Sequence, residues 1–214
     1  MLENVPLFSG LRKQELATID QHTVAKTFPA HTTILREKEK SDSLYIILYG
    51  KVKIYVSEDD GTEVILNIQG RGDCFGEMSL LDEAPRSASV MTMESTRLSI
   101  MTKAAFRDCL LAHPDIAFNL IRLLTQRVRA LTQNVRNLAL LDVYGRVART
   151  LLHLATASGD KLIVEQKLTH QEIANMVGAS REMVSRILKD LANKGYIKVD
   201  RKRITINEKL STTC

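Results

Sequence analysis

Arg181, Glu182 and Arg186 carry side chains suited to reading base edges: arginine pairs bidentately with guanine, and glutamate accepts from cytosine N4. On a helix that packs its apolar side inward, all three project from the exposed face. They close a stretch, Gln171 to Arg186, that has the spacing of a helix-turn-helix. Ala174 is small enough to let two helices touch, Gly178 takes the turn, and Val184 locks the second helix. Ile173, Val177, Ala179 and Ile187 complete the apolar side. Thr169, followed three residues on by Glu172, forms a capping box that starts the first helix. Gly178 adopts, without a Cβ clash, the left-handed backbone that ends it. Ser180 then caps the second helix or contacts phosphate. An ordinary helical hairpin with a solvated charged face has the same spacing, and only the rest of the chain separates the two.

The elements that carry this motif belong to a folded chain of 214 residues, 44% hydrophobic and 26% charged. No apolar run approaches the roughly 20 residues needed to span a membrane. The start, Met1 to Pro6, lacks a basic segment and an apolar signal core, so a cytoplasmic location is expected. The net charge of +5 is unevenly spread: residues 142–214 hold thirteen Lys and Arg against eight Asp and Glu, while residues 1–141 hold equal numbers. The excess therefore lies with the helix-turn-helix, where double-stranded DNA would require it. Cys74, Cys109 and Cys214 are odd in number and widely spaced, which suits reduced thiols better than a disulfide framework or a metal site.

From about Thr32 to Met101 the pattern is strand-like. Leu44 to Leu48 leads through Gly50 into the alternating Lys51 to Val56, and Asp59-Asp60-Gly61 signals a hairpin before Glu63 to Ile68. Short strands with regular turns indicate a jelly-roll barrel. Helix takes over near Phe106, and Pro114 starts a long segment in which Ile121, Leu124, Val128, Leu131, Val135 and Leu138 recur as a heptad seam. Arg122, Arg127, Arg129 and Arg136 fill the other faces. The seam is expected to pair with a second copy in a parallel homodimer, which suits a reader of palindromic DNA. Asp142 follows as a hinge and caps a helix from Val143 to about Ala155; Leu162 to Val164 is a short strand. Beyond the motif, Gly195 to Val199 and Arg203 to Ile206 flank Asp200-Arg201-Lys202 as a basic wing that can touch phosphate. The expected organisation is α+β: a β jelly-roll domain over 1–113, a long dimerisation helix over 114–141, and a winged helix-turn-helix domain over 142–214.

One further segment carries chemistry, Phe75 to Ala88. It resembles the phosphate-binding cassette of cyclic-nucleotide-binding domains, and with the helix-turn-helix it brings nearly the whole chain into likeness with a known family. From Pro6-Leu7-Phe8-Ser9-Gly10-Leu11 to the wing, and closely at Asn137 to Val143 and Ser180-Arg181-Glu182, the chain resembles the catabolite activator (cAMP receptor) and fumarate-nitrate regulator family of bacterial transcription regulators. The resemblance implies a homodimeric regulator gated by a cyclic nucleotide, with cyclic AMP the leading candidate. Gly76 would permit close backbone approach, its neighbouring amides forming an anion-binding concavity. Glu77 would accept from the ribose 2′-hydroxyl, Arg86 would fork onto the cyclic phosphate with Ser87 donating beside it, and Met78 belongs to the same set. In a barrel that binds nothing, Glu77 and Arg86 could instead form a structural ion pair. On the DNA side the resemblance assigns a TGTGA-like half-site to Arg181, Glu182 and Arg186. It assigns phosphates to Thr169, Gln171, Ser180, Lys189 and Lys202, with His170 in the same interface.

The chain departs from the family where the adenine amino group is read. In the cAMP-responsive proteins a threonine on the long helix and a serine of the partner subunit meet that group; here the aligned residues are Leu131 and Thr132. Leu131 offers no hydrogen bond and also completes the seam, where burying a leucine stabilises by roughly 1.5–3 kcal/mol. Cyclic di-GMP, another nucleotide or no nucleotide therefore stay open. No cysteine precedes Cys74, against iron–sulfur ligation, and Gly76 and Met78 stand where the haem-sensing branch has ligands, against haem. His22, His31, His113, His153 and His170 are scattered singly, so no metal site and no cyclic-nucleotide hydrolase are expected. A scaffold that does not bind DNA is the remaining alternative. RNA polymerase is the further partner implied, although the loop from Ala157 to Asp160 is shorter than the one the family's best-known member uses for that contact. Activation and repression both stay open.

Overall fold

A computed structural model of the chain describes residues 2–159, 161–165, 168–200 and 203–207. They form two compact units, Met1–Val128 and Arg129–Cys214. The division falls inside the long helix; the three-part organisation expected from the sequence, with that helix set apart, is a proposal about roles.

The first unit is a double antiparallel sheet. One sheet orders β1 (Thr23–Phe28), β8 (Thr96–Thr102), β3 (Ser43–Tyr49) and β6 (Cys74–Phe75); the other orders β2 (Thr33–Leu35), β7 (Ser89–Thr92), β4 (Val52–Ser57) and β5 (Glu63–Gln69). This is the jelly-roll arrangement. Strand β3 is buried on both faces. Leu44 and Ile46 join Leu16 and Ile19 of α1 (Lys13–Gln21), Phe106 of α3 (Lys103–Ala112), and Ile116 and Leu120 of α4 (Pro114–Leu140). Ile47 packs in a second cluster with Val52, Phe75, Val90 and Leu98. Such a strand loses the clean alternation of a half-solvated one, which is why Leu44 to Leu48 reads as a continuous apolar run. Helix α1 and strand β1 lie upstream of the span read as strand-like. In β1 the four central residues are exposed, so it has no buried face to print a period-two pattern.

The cassette contains a short helix, α2 (Met78–Asp82), closed by Glu83 in the left-handed region at φ 58°. Helix α4 buries Ile116, Asn119 and Leu120 near its start. The buried Asn119 amide donates to the Leu7 and Ser9 carbonyls at 3.2 and 2.8 Å, tying the N-terminal segment to α4.

In the second unit, Asp142 caps α5 (Val143–Leu154), its carboxylate accepting from the Gly145 amide at 2.7 Å. Strand β9 (Thr156–Ser158), fully exposed and absent from the sequence-based expectation, pairs with β10 (Lys161–Val164). Helices α6 (His170–Val177) and α7 (Arg181–Asn193) follow, then β11 (Ile197–Asp200) and β12 (Arg203–Ile206), giving one antiparallel sheet in the order β11-β12-β10-β9. Val147, Ala148, Leu151, Ile173, Ala174, Val184 and Leu191 are among the residues that form its core. Ala174 and Val184 are fully buried, as the helix contact demands.

Half-buried Arg146 on α5 joins three backbone carbonyls at or just past helix ends. It donates to Leu141 O at 2.9 Å, Val177 O at 2.8 Å and Gly178 O at 3.4 Å, so one side chain ties the end of α4 to the turn between α6 and α7. Arg146→Ala is expected to lower the stability of this unit by about 2 kcal/mol. Denaturant unfolding followed by circular dichroism checks this; an unchanged midpoint would make the three contacts incidental.

Candidate functional site

Two sets of side chains stand out, one in each unit. In the first, Gly76 has φ +84°, and an added Cβ would lie 2.8 Å from Arg86 Nη1 and 2.9 Å from Ser43 O. Both the backbone angle and the lack of space therefore require glycine. Arg86 is 4% exposed. Its Nη1 donates to the Gly76 carbonyl and Ser79 Oγ, and its Nη2 donates to Ser41 Oγ at 2.8 Å and Ser43 O at 2.7 Å. All four acceptors are neutral, and Nε has no partner among the described residues. Burial pulls the guanidinium below its ordinary pKa, though far from deprotonation at any physiological pH. The result is a buried cation with no carboxylate bonded to it among the described residues, Glu77 and Asp42 acting on it only through space.

Glu77 is the adjacent carboxylate, and the ion pair with Arg86 that the sequence leaves open does not form. Glu77 pairs instead with Arg127 Nη1, while Arg127 Nη2 donates to the Cys74 carbonyl. The Glu77 side chain is 2% exposed, and its Oε2 is buried with no partner among the described residues. Arg127, placed by the heptad pattern on a face other than the seam, has a role the pattern does not give: its side chain is 26% exposed and holds Glu77 in place. No local pattern points to it, because the pair spans 50 residues of chain. Ser41 and Ser43 escape sequence reasoning for the same reason, standing 45 and 43 residues from Arg86.

Met78 and Ser87 are exposed at this seat, with Ser87 Oγ 3.9 Å from the Met78 sulfur. Leu131 and Thr132 lie on α4 within the second unit, both exposed. Ile121, Val128, Leu131, Val135 and Leu138 are 58, 62, 48, 66 and 55% exposed on the single chain, and Leu124 is half-buried. Burial pushes the Cys74 thiol up to about 12, so it stays protonated and inert; Cys109 is also buried and free, and Cys214 lies outside the described residues. A separate hollow of about 240 Å³ is lined by residues of α1 and α3 and their C-caps, including His22, Asp108, Cys109 and His113. Among the described residues no His, Cys, Asp and Glu group of three could hold a metal ion.

The second set belongs to the helix-turn-helix. Thr169 and Glu172 form the capping box: the Thr169 amide donates to Glu172 Oε2 at 2.6 Å and the Glu172 amide to Thr169 Oγ1 at 3.1 Å. Gly178 ends α6 at φ 62°, ψ 55°. Ser180 caps α7, accepting from the Met183 amide at 3.2 Å and keeping its own proton to donate. The Thr169 hydroxyl, by contrast, already donates to Glu172 at 2.8 Å. His170 Nδ1 lies 2.6 Å from Ser185 Oγ, bridging α6 to α7, and Gln171 donates to Asn175 at 2.8 Å. Thr169, His170, Gln171 and Arg181 line an open hollow of about 490 Å³ at the positive end of α6. Arg181, Glu182, Arg186 and Lys189 are exposed, and none forms an ion pair among the described residues. Lys202, assigned to phosphate, lies outside the described residues along with Arg201; the strands that flank them pair in register from Ile197 with Ile206 to Asp200 with Arg203.

Comparison with known proteins bears on both sets. Residues 25–113 match the model of the cyclic nucleotide-binding domain, and residues 145–209 match that of the Crp-like helix-turn-helix domain. The CRP-like cAMP-activated global transcriptional regulator of Mycobacterium tuberculosis is 38% identical over 212 residues, covering 97% of this chain and 95% of the relative. The cAMP-activated global transcriptional regulator CRP of Pasteurella multocida is 36% identical over 189 residues, covering 86% and 90%. Among solved structures, the c-di-GMP responsive global regulator CLP of Xanthomonas campestris aligns with TM-score 0.79 at 26% identity, covering 92% of this chain and all of that one. The catabolite activator protein of Thermus thermophilus aligns with TM-score 0.57 at 32% identity, covering 95% and 94%.

Proposed function

The chain belongs to the CRP-like family of DNA-binding transcription regulators, and we propose that within it this protein is a homodimer whose DNA affinity is set by a cyclic nucleotide bound at Arg86. The observation that carries the reading is the buried Arg86 guanidinium with four neutral acceptors and a free Nε. A buried charge without a bonded counter-ion is costly, and an arriving phosphate offsets that cost with a charge-assisted contact at the free Nε. The unpartnered Glu77 Oε2 is an acceptor awaiting a hydroxyl. An anion site and a hydroxyl site so close in sequence suit a sugar phosphate, and Ser87 and Met78 complete the proposed seat with Gly76.

The base is the less determined half. Cyclic AMP is the leading candidate because the relatives from Mycobacterium tuberculosis and Pasteurella multocida are named as cAMP-activated. Leu131 gives the adenine amino group nothing to bond, which keeps cyclic di-GMP, the effector named for the Xanthomonas campestris regulator, and gating without nucleotide as second readings. The exposed stripe from Ile121 to Leu138 supports dimerisation, since isolated exposed leucines and valines at heptad spacing bury only against a partner helix. Asp142 serves as the hinge after it. The ligand acts by its preference for one of two states of the dimer, and shifts their populations by no more than that preference. Arg181, Glu182 and Arg186 read the half-site; Thr169, His170, Gln171, Ser180, Lys189 and Lys202 hold phosphates, Thr169 by fixing where the positive end of α6 begins. Two such helices about 34 Å apart require a palindromic site. Among the described residues no helix is long and apolar enough to cross a membrane. RNA polymerase is the proposed further partner, and neither catalysis nor a metal, haem or iron–sulfur cluster enters the reading.

Arg86→Ala is expected to weaken cyclic AMP binding by roughly 2–5 kcal/mol in titration calorimetry; unchanged binding would remove the assignment. Arg181→Ala is expected to relax preference at one base pair at a cost of roughly 1–3 kcal/mol in competition binding to variant duplexes. An equal loss on every sequence would make Arg181 a phosphate contact. Leu131→Thr is expected to tighten cyclic AMP by about tenfold if a missing hydroxyl limits affinity. Unchanged affinity, with a weaker dimer by sedimentation, would assign Leu131 to seam packing alone.

A further inference from the structure

We propose that Ser79 and Ser41 are positioning residues of the anion seat: they hold the Arg86 fork in place without neutralising it, so that the ligand's phosphate is the first anion to bond to it. The inference rests on the reading of Arg86 as the phosphate partner and adds what keeps it ready. Ser79 Oγ accepts from Nη1 and Ser41 Oγ from Nη2, one hydroxyl on each arm of the fork, each arm also bonded to a backbone carbonyl. The two serines come from separate places, Ser79 from α2 and Ser41 from the segment before β3, and the two carbonyls from Gly76 and Ser43.

A carboxylate at either position would make a tighter internal pair and fill the seat before any ligand arrived. The chain has carboxylates next to both surroundings, Asp42 beside Ser41 and Glu77 two residues before Ser79; both act on Arg86 through space, yet neither bonds to it, and Glu77 pairs with Arg127 instead. A hydroxyl differs from a carbonyl as an acceptor because it keeps a proton. Neither serine hydroxyl donates to another group among the described residues, so each has a hydrogen left for an oxyanion seated on the guanidinium. Neutral acceptors fix geometry; the charge stays available.

The test compares Ser79→Asp with Ser79→Asn, which differ in charge but hardly in size, alongside the double variant Ser41→Ala with Ser79→Ala. Titration calorimetry with cyclic AMP is expected to show Ser79→Asp binding at least about a hundredfold more weakly than Ser79→Asn. The double alanine variant is expected to lose about tenfold, with Ser79→Thr in the parent background retaining parental affinity. Thermal unfolding without ligand supplies a second readout. Ser79→Asp is expected to melt about 3 °C above Ser79→Asn, because it supplies the missing counter-charge, whereas a merely structural serine would leave the aspartate the less stable of the two. Equal affinities for the aspartate and asparagine variants, parental affinity in the double alanine variant, or a lower melting temperature for Ser79→Asp would each overturn the proposal. If the parent chain binds no cyclic nucleotide, the nucleotide reading falls, and the melting comparison alone decides whether the two serines hold an uncompensated Arg86.

Discussion

The Arg86 guanidinium, buried among neutral oxygens, sets the terms for the cassette around it. Removing an arginine from water costs several kcal/mol unless its donors are satisfied and its charge is matched. The fold meets the first requirement at both Nη nitrogens, leaves Nε without a partner among the described residues, and leaves the second requirement open. Meeting it explains features that otherwise look unrelated. Gly76 must be glycine because a Cβ would sit 2.8 Å from the guanidinium, β3 must deliver the Ser43 carbonyl at its first residue, and α2 must deliver Ser79. The neighbouring carboxylate, Glu77, is drawn off by Arg127, which prevents the charge from being cancelled from within.

In the second unit the corresponding constraint is the satisfaction of helix ends. Asp142, Thr169 and Ser180 each cap a helix with their own side chain, and Arg146 bonds carbonyls at the ends of α4 and α6. With its ends held this way, the pair α6 and α7 offers Arg181, Glu182 and Arg186 to solvent from a rigid platform. His170 adds a direct bridge to Ser185 on α7. The exposed seam on α4 is the other unsatisfied surface, apolar rather than charged. Val128, Leu131, Val135 and Leu138 stay exposed on the single chain.

Much of this is legible in the order of the residues. The capping box at Thr169, the left-handed Gly178, the buried Ala174 and Val184, the start of α4 at Pro114 and the Asp142 cap are local: each depends on residues within about one helical turn, so spacing is enough to find it. The heptad seam is likewise a periodicity. Strand β1 and hairpin strand β9 escape because their residues are mostly exposed and carry no apolar alternation. The cassette is legible only through its likeness to a family, which indicates Gly76, Glu77 and Arg86 but not what surrounds them.

By itself, then, the amino-acid sequence determined the jelly roll, the long helix, the winged helix-turn-helix and the charge imbalance that marks the DNA-facing end. Only the tertiary structure decided which charges meet. Glu77 pairs with Arg127 across 50 residues, and Arg86 reaches Ser41 and Ser43 across 45 and 43. Those partners are fixed by strand register and by the packing of α4 against the first unit's sheet, where Ile116 and Leu120 join Leu44, Ile46 and Met101. Local propensity has no term for contacts of that range, because their geometry exists only once the core has closed.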